Sequence, residues 1–401
     1  MTQEQPQSRV GFFDNPAVAA DPYPFFAGMR QNTPVAQFGP LGLWIVSRYD
    51  DVTRILHDHE TFSSAVGARR AAGEKRSPSI LFDDPPVHTR MRGLLTRAFT
   101  PRTIELQRPS IEENCARMID DMCAKKTADF VAELAYPLPV MVIAAMLGVQ
   151  DGDMATFKRW SDAIIENIGA SLLTGDNSAL EEVNKEFDAY FSERLDKLRR
   201  EPEDNLLSAL VHADGEDGKL SQEDLLVVCR VLLVAGNETT TGLIVNTARA
   251  FSEYPDQMRR VKEDLDLVPS AVEEVLRFYS PFPATFRQAT RDVEVAGVTI
   301  PKDAQVLPLL ASANRDETQF ERADEFLVDR DPNRHVAFGM GIHYCLGAPL
   351  ARLEGGIVMR TLLPRIKRIQ LMDAEAGNML RAGGPKSLLV RFDLERAPAA
   401  V

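Results

Sequence analysis

The sequence predicts one mainly α domain with a small β portion supplied by both ends of the chain. Three observations carry that. Apolar residues recur at spacings of three and four from Val87 to Phe278, the mark of helices with one buried face. One such pattern, Gln222–Phe251, runs for about 30 residues without proline; at about 1.5 Å per residue it spans roughly 45 Å, enough to cross a whole domain. Short runs of strand character flank the helices: Leu43–Ser47 before them, and Val293–Ile300, Gln305–Leu309, Ile366–Leu371 and Ser387–Phe392 after them.

In chain order, Asp21-Pro22-Tyr23-Pro24 opens a short helix. The strand at Leu43 leads through Arg48-Tyr49-Asp50-Asp51 into a helix ending near His57. Thr61–Asp84 is irregular, and a loop of that length inside a domain points to function or disorder. Helices are predicted at Ser110–Lys125, Pro139–Leu147, Asp153–Leu173, Ala179–Arg200, Gln222–Phe251, Ala271–Tyr279 and Gly347–Leu363, with a turn at Phe320–Asp324. No repeat or linker divides the 401 residues, so 1–401 reads as a single domain, with about the first ten residues unordered.

The formal net charge of −13 disfavours nucleic acid or an anionic membrane surface as partner. Four cysteines, Cys115, Cys123, Cys229 and Cys345, are few for so long a chain, which fits a reducing cytoplasm; none forms a C-x-x-C pair, so neither a zinc ribbon nor a thioredoxin-type site is suggested. No apolar h-region stands at the N-terminus. No uninterrupted apolar run reaches the roughly 18 residues of a membrane span, and Arg230 breaks the best candidate, Leu225–Ala235. A cytoplasmic, monomeric protein is expected.

The strongest chemical signal is Phe338-Gly339-Met340-Gly341-Ile342-His343-Tyr344-Cys345-Leu346-Gly347. Glycines at alternate positions let backbone approach a flat group closely. A helix starting just after Cys345, with Pro349 in its first turn, sets its positive end at the sulfur and favours the thiolate. With no second cysteine nearby, a cysteine-rich zinc or iron–sulfur site is not available. A single axial thiolate on haem iron is the remaining metal role, and a buried inert cysteine is the plain alternative. Upstream, Ala235-Gly236-Asn237-Glu238-Thr239 sits in the middle of the long helix. Its glycine and three consecutive threonines predict a kink with a polar notch, or else a break with Asn237 capping a second helix. Glu274 and Arg277 are spaced to pair on one helix face.

These strings resemble the cytochrome P450 family. The cysteine segment matches its F-G-x-G-x-H/R-x-C-x-G signature at every fixed position; Ala235–Thr239 is similar to its A-G-x-D/E-T oxygen motif, and Glu274 with Arg277 to its E-x-x-R. The resemblance covers nearly the whole chain. It implies a triangular helical prism with haem b between the long central helix and the cysteine-loop helix, and Cys345 as iron ligand. Glu238 and Thr239 are then the catalytic pair, relaying protons and hydrogen-bonding dioxygen. His88, Arg92, Arg287 and His335 hold the haem propionates, and Arg330 joins Glu274 and Arg277 in a structural cluster, although Leu327 stands where the family often has aspartate. The implied reaction inserts one atom of O2 into an apolar terpenoid, steroid, fatty acid or macrolide, with electrons from a ferredoxin and its NAD(P)H-dependent reductase. A peroxide-driven peroxygenase and a non-catalytic haem sensor are the alternatives. Walls of the substrate pocket are expected at Thr61–Phe82, Ile164–Leu172, Leu232–Thr239, Pro283–Phe286 and Met379–Leu388, with Ile80, Leu81, Phe82, Ile165, Leu232, Ala235, Ala284 and Phe286 lining it. Arg97, Arg102, Arg352 and Arg360 are expected to supply a basic docking patch.

Overall fold

Helix-forming periodicity decides most of the architecture. The computed structural model describes residues 15–39, 42–66, 79–174, 178–214, 218–372 and 384–395; the first ten residues lie outside them. The central helix, Gln222–Glu253, is held at its start by a capping box in which Ser221 and Asp224 exchange side-chain bonds to each other's backbone N–H. It is the one helix among those described that has the length and apolarity to cross a membrane. Here it forms the middle of the main core instead. Arg230, which breaks its apolar run in the sequence, pairs with Asp188 of the helix Glu181–Arg200.

Helices pack around this axis. Pro137–Met146 is apolar on all sides and almost wholly buried, as a helix enclosed by others must be. Gly236 of the central helix lets it come close: a Cβ there would meet Ile143 Cδ1 at 2.5 Å. Ala348–Leu362, the helix after the cysteine segment, lies against the central helix and against Arg108–Lys125. Met154–Thr174 and Glu181–Arg200 are joined by an aromatic cluster of Phe157, Trp160, Phe187, Tyr190 and Phe191. Each such buried ring contributes roughly 1.5–3 kcal/mol.

The β portion comes from both ends of the chain, as expected. A five-stranded sheet runs β1 (Val35–Phe38), β2 (Leu43–Val46), β8 (Gln305–Pro308), β5 (Arg287–Ala289), β3 (Phe62–Ser63). The β2–β8 pairing is parallel and the others antiparallel. A three-stranded sheet joins β4 (Thr127–Asp129), β10 (Leu389–Leu394) and β9 (Ile366–Leu371). The single strand expected at Val293–Ile300 is a hairpin, β6 (Val293–Val295) with β7 (Val298–Ile300). Ala296 and Gly297 turn it with φ of 49° and 78°, the geometry of a two-residue hairpin turn.

Candidate functional site

The cysteine segment is a tight turn pinned to the fold by its glycines. Gly339 and Gly341 both have φ of 67°, where a side chain is strained. A Cβ on Gly341 would stand 2.6 Å from the carbonyl oxygen of Leu56, so the helix Tyr49–His57 packs directly on the turn. The Cys345 N–H donates to the Phe338 carbonyl at 2.9 Å and closes the loop. Burial pushes the Cys345 thiol up. The N–H groups of Gly347 and Ala348 and the charge of Arg92 pull the other way, toward the thiolate. The remaining upward shift is one that coordination to a cation abolishes.

Around this turn the structure gathers donors that form no ion pair among the described residues. His88, on the helix Val87–Ala98, is 2% exposed, and neither of its ring nitrogens has a partner among the described residues. Its ring lies 4.3 Å from that of His343, whose Nε2 is also buried without a partner. Burial, with the charge of Arg287 and the proximity of His88, pushes the His343 pKa down to about 3. Arg287, on β5, is 5% exposed and among the described residues donates to Phe286 O and Thr285 Oγ1, and burial lowers its pKa to about 10. The acid that His88 and Arg287 both feel, Asp84, is occupied by the Ser63 hydroxyl and the Ser64 N–H. Arg92 makes no ion pair among the described residues; burial lowers its pKa, opposed by Cys345. A guanidinium this buried is costly without an anion, so the cluster calls for a ligand bearing carboxylates.

His335 is not part of that cluster, contrary to expectation. Its Nδ1 accepts the Ala337 N–H at 3.2 Å, so Nε2 carries the proton and donates to Glu273 Oε2 at 3.1 Å. Both nitrogens are used inside the protein. The fold puts His343 with His88, Arg92 and Arg287 instead. That residue was visible in the sequence, two positions before Cys345 in the same signature, but spacing alone does not say which histidine turns inward. Arg352 is likewise unavailable as a free docking cation, because Glu273 binds it through both oxygens.

The oxygen-motif residues lie on an unbroken helix. Asn237 is fully buried and caps nothing: its Nδ2 donates to Ser161 Oγ at 2.9 Å, and its Oδ1 accepts from Thr241. The Thr239 hydroxyl donates to Ala235 O at 2.8 Å, the back-bonding that widens a helix locally. Leu232, Ala235, Gly236, Glu238 and Thr239 are all half-accessible although they sit mid-helix in the core, whereas Thr240–Val245 are buried. Accessible small and apolar residues in the middle of a core helix, beside the cysteine turn's donor cluster, fit the wall of an interior space.

Glu274 and Arg277 form a fully buried pair, with Nε and Nη2 at 2.8 Å from the two carboxylate oxygens. Arg277 spends its remaining donors on the carbonyls of Asn314, Ala323 and Glu325, leaving no N–H unmatched. Arg330 joins Glu274 at 3.1 Å, and the Leu327 N–H reaches it at 2.9 Å, so the backbone serves here whatever side chain residue 327 carries.

Of the expected pocket residues, Leu232 and Ala235 lie on the accessible stretch of the central helix. Ile80 is buried and its backbone meets the His343 ring, which sets the 79–82 segment beside the donor cluster. Phe82, Ala284 and Phe286 are half-buried, the latter two against the core around Phe26 and Leu307. Leu81 is exposed instead. The side chain of Ile165, residues 67–78 and residues 379–383 lie outside those described.

A lone buried cysteine set among arginines and histidines without ion pairs among the described residues fits a metal-bearing group with two carboxylates, which is the chemistry of haem b. Comparisons with known proteins agree. The family model described as cytochrome P450 matches residues 164–368. Cytochrome P450 109 of Bacillus spizizenii is 39% identical over 349 residues, 85% of this chain and 84% of that protein. The structure of CYP109Q5 from Chondromyces apiculatus superposes with a TM-score of 0.88 at 40% identity, over 97% of this chain and 99% of that one. That of CYP109E1 from Bacillus megaterium in complex with testosterone gives 0.83 at 36% identity, over 92% and 99%. The chain therefore belongs to the cytochrome P450 family, as a haem-binding monooxygenase of the bacterial type.

Proposed function

We propose that Cys345 Sγ holds the iron of haem b, that His88, Arg92, Arg287 and His343 hold its propionates, and that the protein hydroxylates an apolar substrate of steroid type. The observation that carries this is the buried donor cluster, without an ion pair among the described residues, beside a lone cysteine. The haem, when bound, supplies the activation of dioxygen. The protein's own residues do the rest. Burial raises the Cys345 thiol, and the N–H groups of Gly347 and Ala348 oppose that and favour the thiolate, the form that donates electrons to the iron. Thr239 Oγ1, whose proton is committed to Ala235 O, keeps its lone pairs for accepting a hydrogen bond from the interior space. Glu238, one residue before it on the same accessible stretch, exchanges protons there. Apolar Leu232 and Ala235 exclude water.

Steroid-type substrates are favoured by the testosterone complex of the similar Bacillus megaterium protein and by the apolar residues on the accessible stretch of the central helix. Electrons are assigned to a ferredoxin with an NAD(P)H-dependent reductase. The chain is taken to act in the cytoplasm as a single-domain monomer. The reduced, carbon monoxide-bound protein should show the red-shifted Soret band of a thiolate, and a band at the position of a histidine-ligated haem refutes the Cys345 assignment. Titration with testosterone, a long-chain fatty acid and a macrolide, read by the low- to high-spin shift, tests the substrate class. A response confined to the fatty acid or the macrolide overturns the steroid reading.

A further inference from the structure

Glu273 and Glu274 are neighbours on the helix Val268–Phe278, yet they serve opposite sides of it. Glu274 is consumed by the buried arginines Arg277 and Arg330. Glu273 reaches the cysteine turn. It takes Arg352 Nε at 2.7 Å and Nη2 at 2.8 Å, and His335 Nε2 at 3.1 Å. Burial would raise the Glu273 carboxyl, but these three donors hold it down at about 2. It is an anion at any working pH.

Arg352 lies on the helix that begins after the cysteine, about two turns beyond Cys345. Its guanidinium sits over the Phe338 ring, 4.6 Å from the centroid, and Nη1 reaches the Tyr344 hydroxyl at 3.3 Å. Phe338 is the residue whose carbonyl receives the Cys345 N–H, and Tyr344 is the residue before the cysteine. The His335 ring stands 6.0 Å from that of Phe338. One carboxylate thus orients two side chains that touch the turn ahead of Cys345, at Phe338 and Tyr344. It also neutralises the Arg352 charge, which the cysteine sulfur feels.

We propose that Glu273 is a positioning residue for the haem ligand: through Arg352 and His335 it braces the cysteine turn, and by covering the Arg352 charge it sets the reduction equilibrium of the iron. Glu273 contacts neither substrate nor sulfur. The inference rests on the reading of Cys345 as iron ligand and adds a second determinant of thiolate strength, beyond the N–H groups of Gly347 and Ala348.

The test uses the haem-loaded protein and two readouts independent of turnover: the ferric–ferrous midpoint by spectroelectrochemistry, and the fraction of red-shifted band in the carbon monoxide complex. Glu273→Gln keeps the shape and removes the charge, leaving Arg352 positive. A lone unit charge acting across about 10 Å at an effective dielectric of about 20 is worth on the order of tenfold. The ferric–ferrous equilibrium is therefore expected to move about tenfold toward ferrous, with a reduced red-shifted fraction. The double variant Glu273→Gln with Arg352→Gln removes both charges; it is expected to return the equilibrium to within about threefold of the parent, while the red-shifted fraction stays low. A structural defect alone would not be reversed by a second lesion. A single variant indistinguishable from the parent in both readouts overturns the proposal, and so does a double variant shifted as far as the single. Should Glu273→Gln load haem poorly, Glu273→Asp keeps the charge and retracts the contact; a tenfold shift there contradicts the charge argument. Absence of the red-shifted band in the parent itself indicts the Cys345 reading instead.

Discussion

The rings of His88 and His343 face each other at 4.3 Å, and three of their four nitrogens lack a hydrogen-bond partner among the described residues: both of His88 and Nε2 of His343. Two buried imidazoles next to the buried guanidinium of Arg287 are a poor arrangement for a chain folded by itself and a good one for receiving two carboxylates. The first prediction follows. Arg287→Leu removes charge-assisted bonds worth about 1.5–3 kcal/mol to the ligand, so haem should leave roughly ten to a hundred times faster. Transfer to an apo-haem acceptor, followed by absorbance, measures it. The same substitution at exposed Arg102 should change nothing.

Gly341 is in van der Waals conflict with anything larger. Its φ of 67° and the 2.6 Å approach of a would-be Cβ to Leu56 O act together. Gly341→Ala is expected to destabilise the protein by at least about 1–2 kcal/mol and to lower the haem retained after purification. Urea unfolding and the Soret-to-protein absorbance ratio report the two effects. Gly297→Asn, at a hairpin tip with open space and a φ that asparagine tolerates, is the mild control.

Breaking the buried Glu274 pair leaves Arg277 without its carboxylate in a site with no exposure. Glu274→Gln should cost about 3–5 kcal/mol, because the penalty is that of an uncompensated buried charge. The midpoint of urea unfolding, compared with that of exposed Glu105→Gln, tests this; equal midpoints would show that the cluster is not a stability element.

Glu354 supplies a pH dependence with a definite sign. It is 1% exposed, its Oε2 has no partner among the described residues, and burial raises its pKa from 4.5 to about 8. The folded chain therefore binds more protons than the unfolded one between those values. Stability is fully present below pH 4.5 and falls as pH rises toward 8, by up to about 1.4 kcal/mol per pH unit from this group. Glu354→Gln should flatten that slope between pH 5.5 and 7.5 in urea titrations. An unchanged slope would assign the pH dependence elsewhere.

What could be read in advance was what is local. The helix Gln222–Glu253 and the strand Ile366–Leu371 were legible because periodicity over six or more residues is a strong signal. Phe62–Ser63 and Arg287–Ala289 were not, since two or three residues carry no period; only pairing with a neighbour makes them strands. Cys345, Glu274, Arg277 and Arg330 stood out for the same local reason, each within a short string of fixed spacing. His335 and His343 are the instructive pair. Both precede Cys345 closely, and both are histidines with polar neighbours in sequence. Glu273, over sixty residues upstream, captures one of them and leaves the other for the cluster.

The sequence by itself determined the mainly α class, the cysteine turn, the notched central helix and the family to which they belong, because each is encoded in side chains that meet along one stretch of backbone. Only the tertiary structure decided which cations share a space, which are already neutralised and which remain unmatched. Burial and charge compensation are properties of residues brought together from distant parts of the chain. Arg352 is neutralised because it pairs with Glu273, whereas Arg287 forms no salt bridge among the described residues and feels Asp84, held by Ser63 and Ser64, only through space.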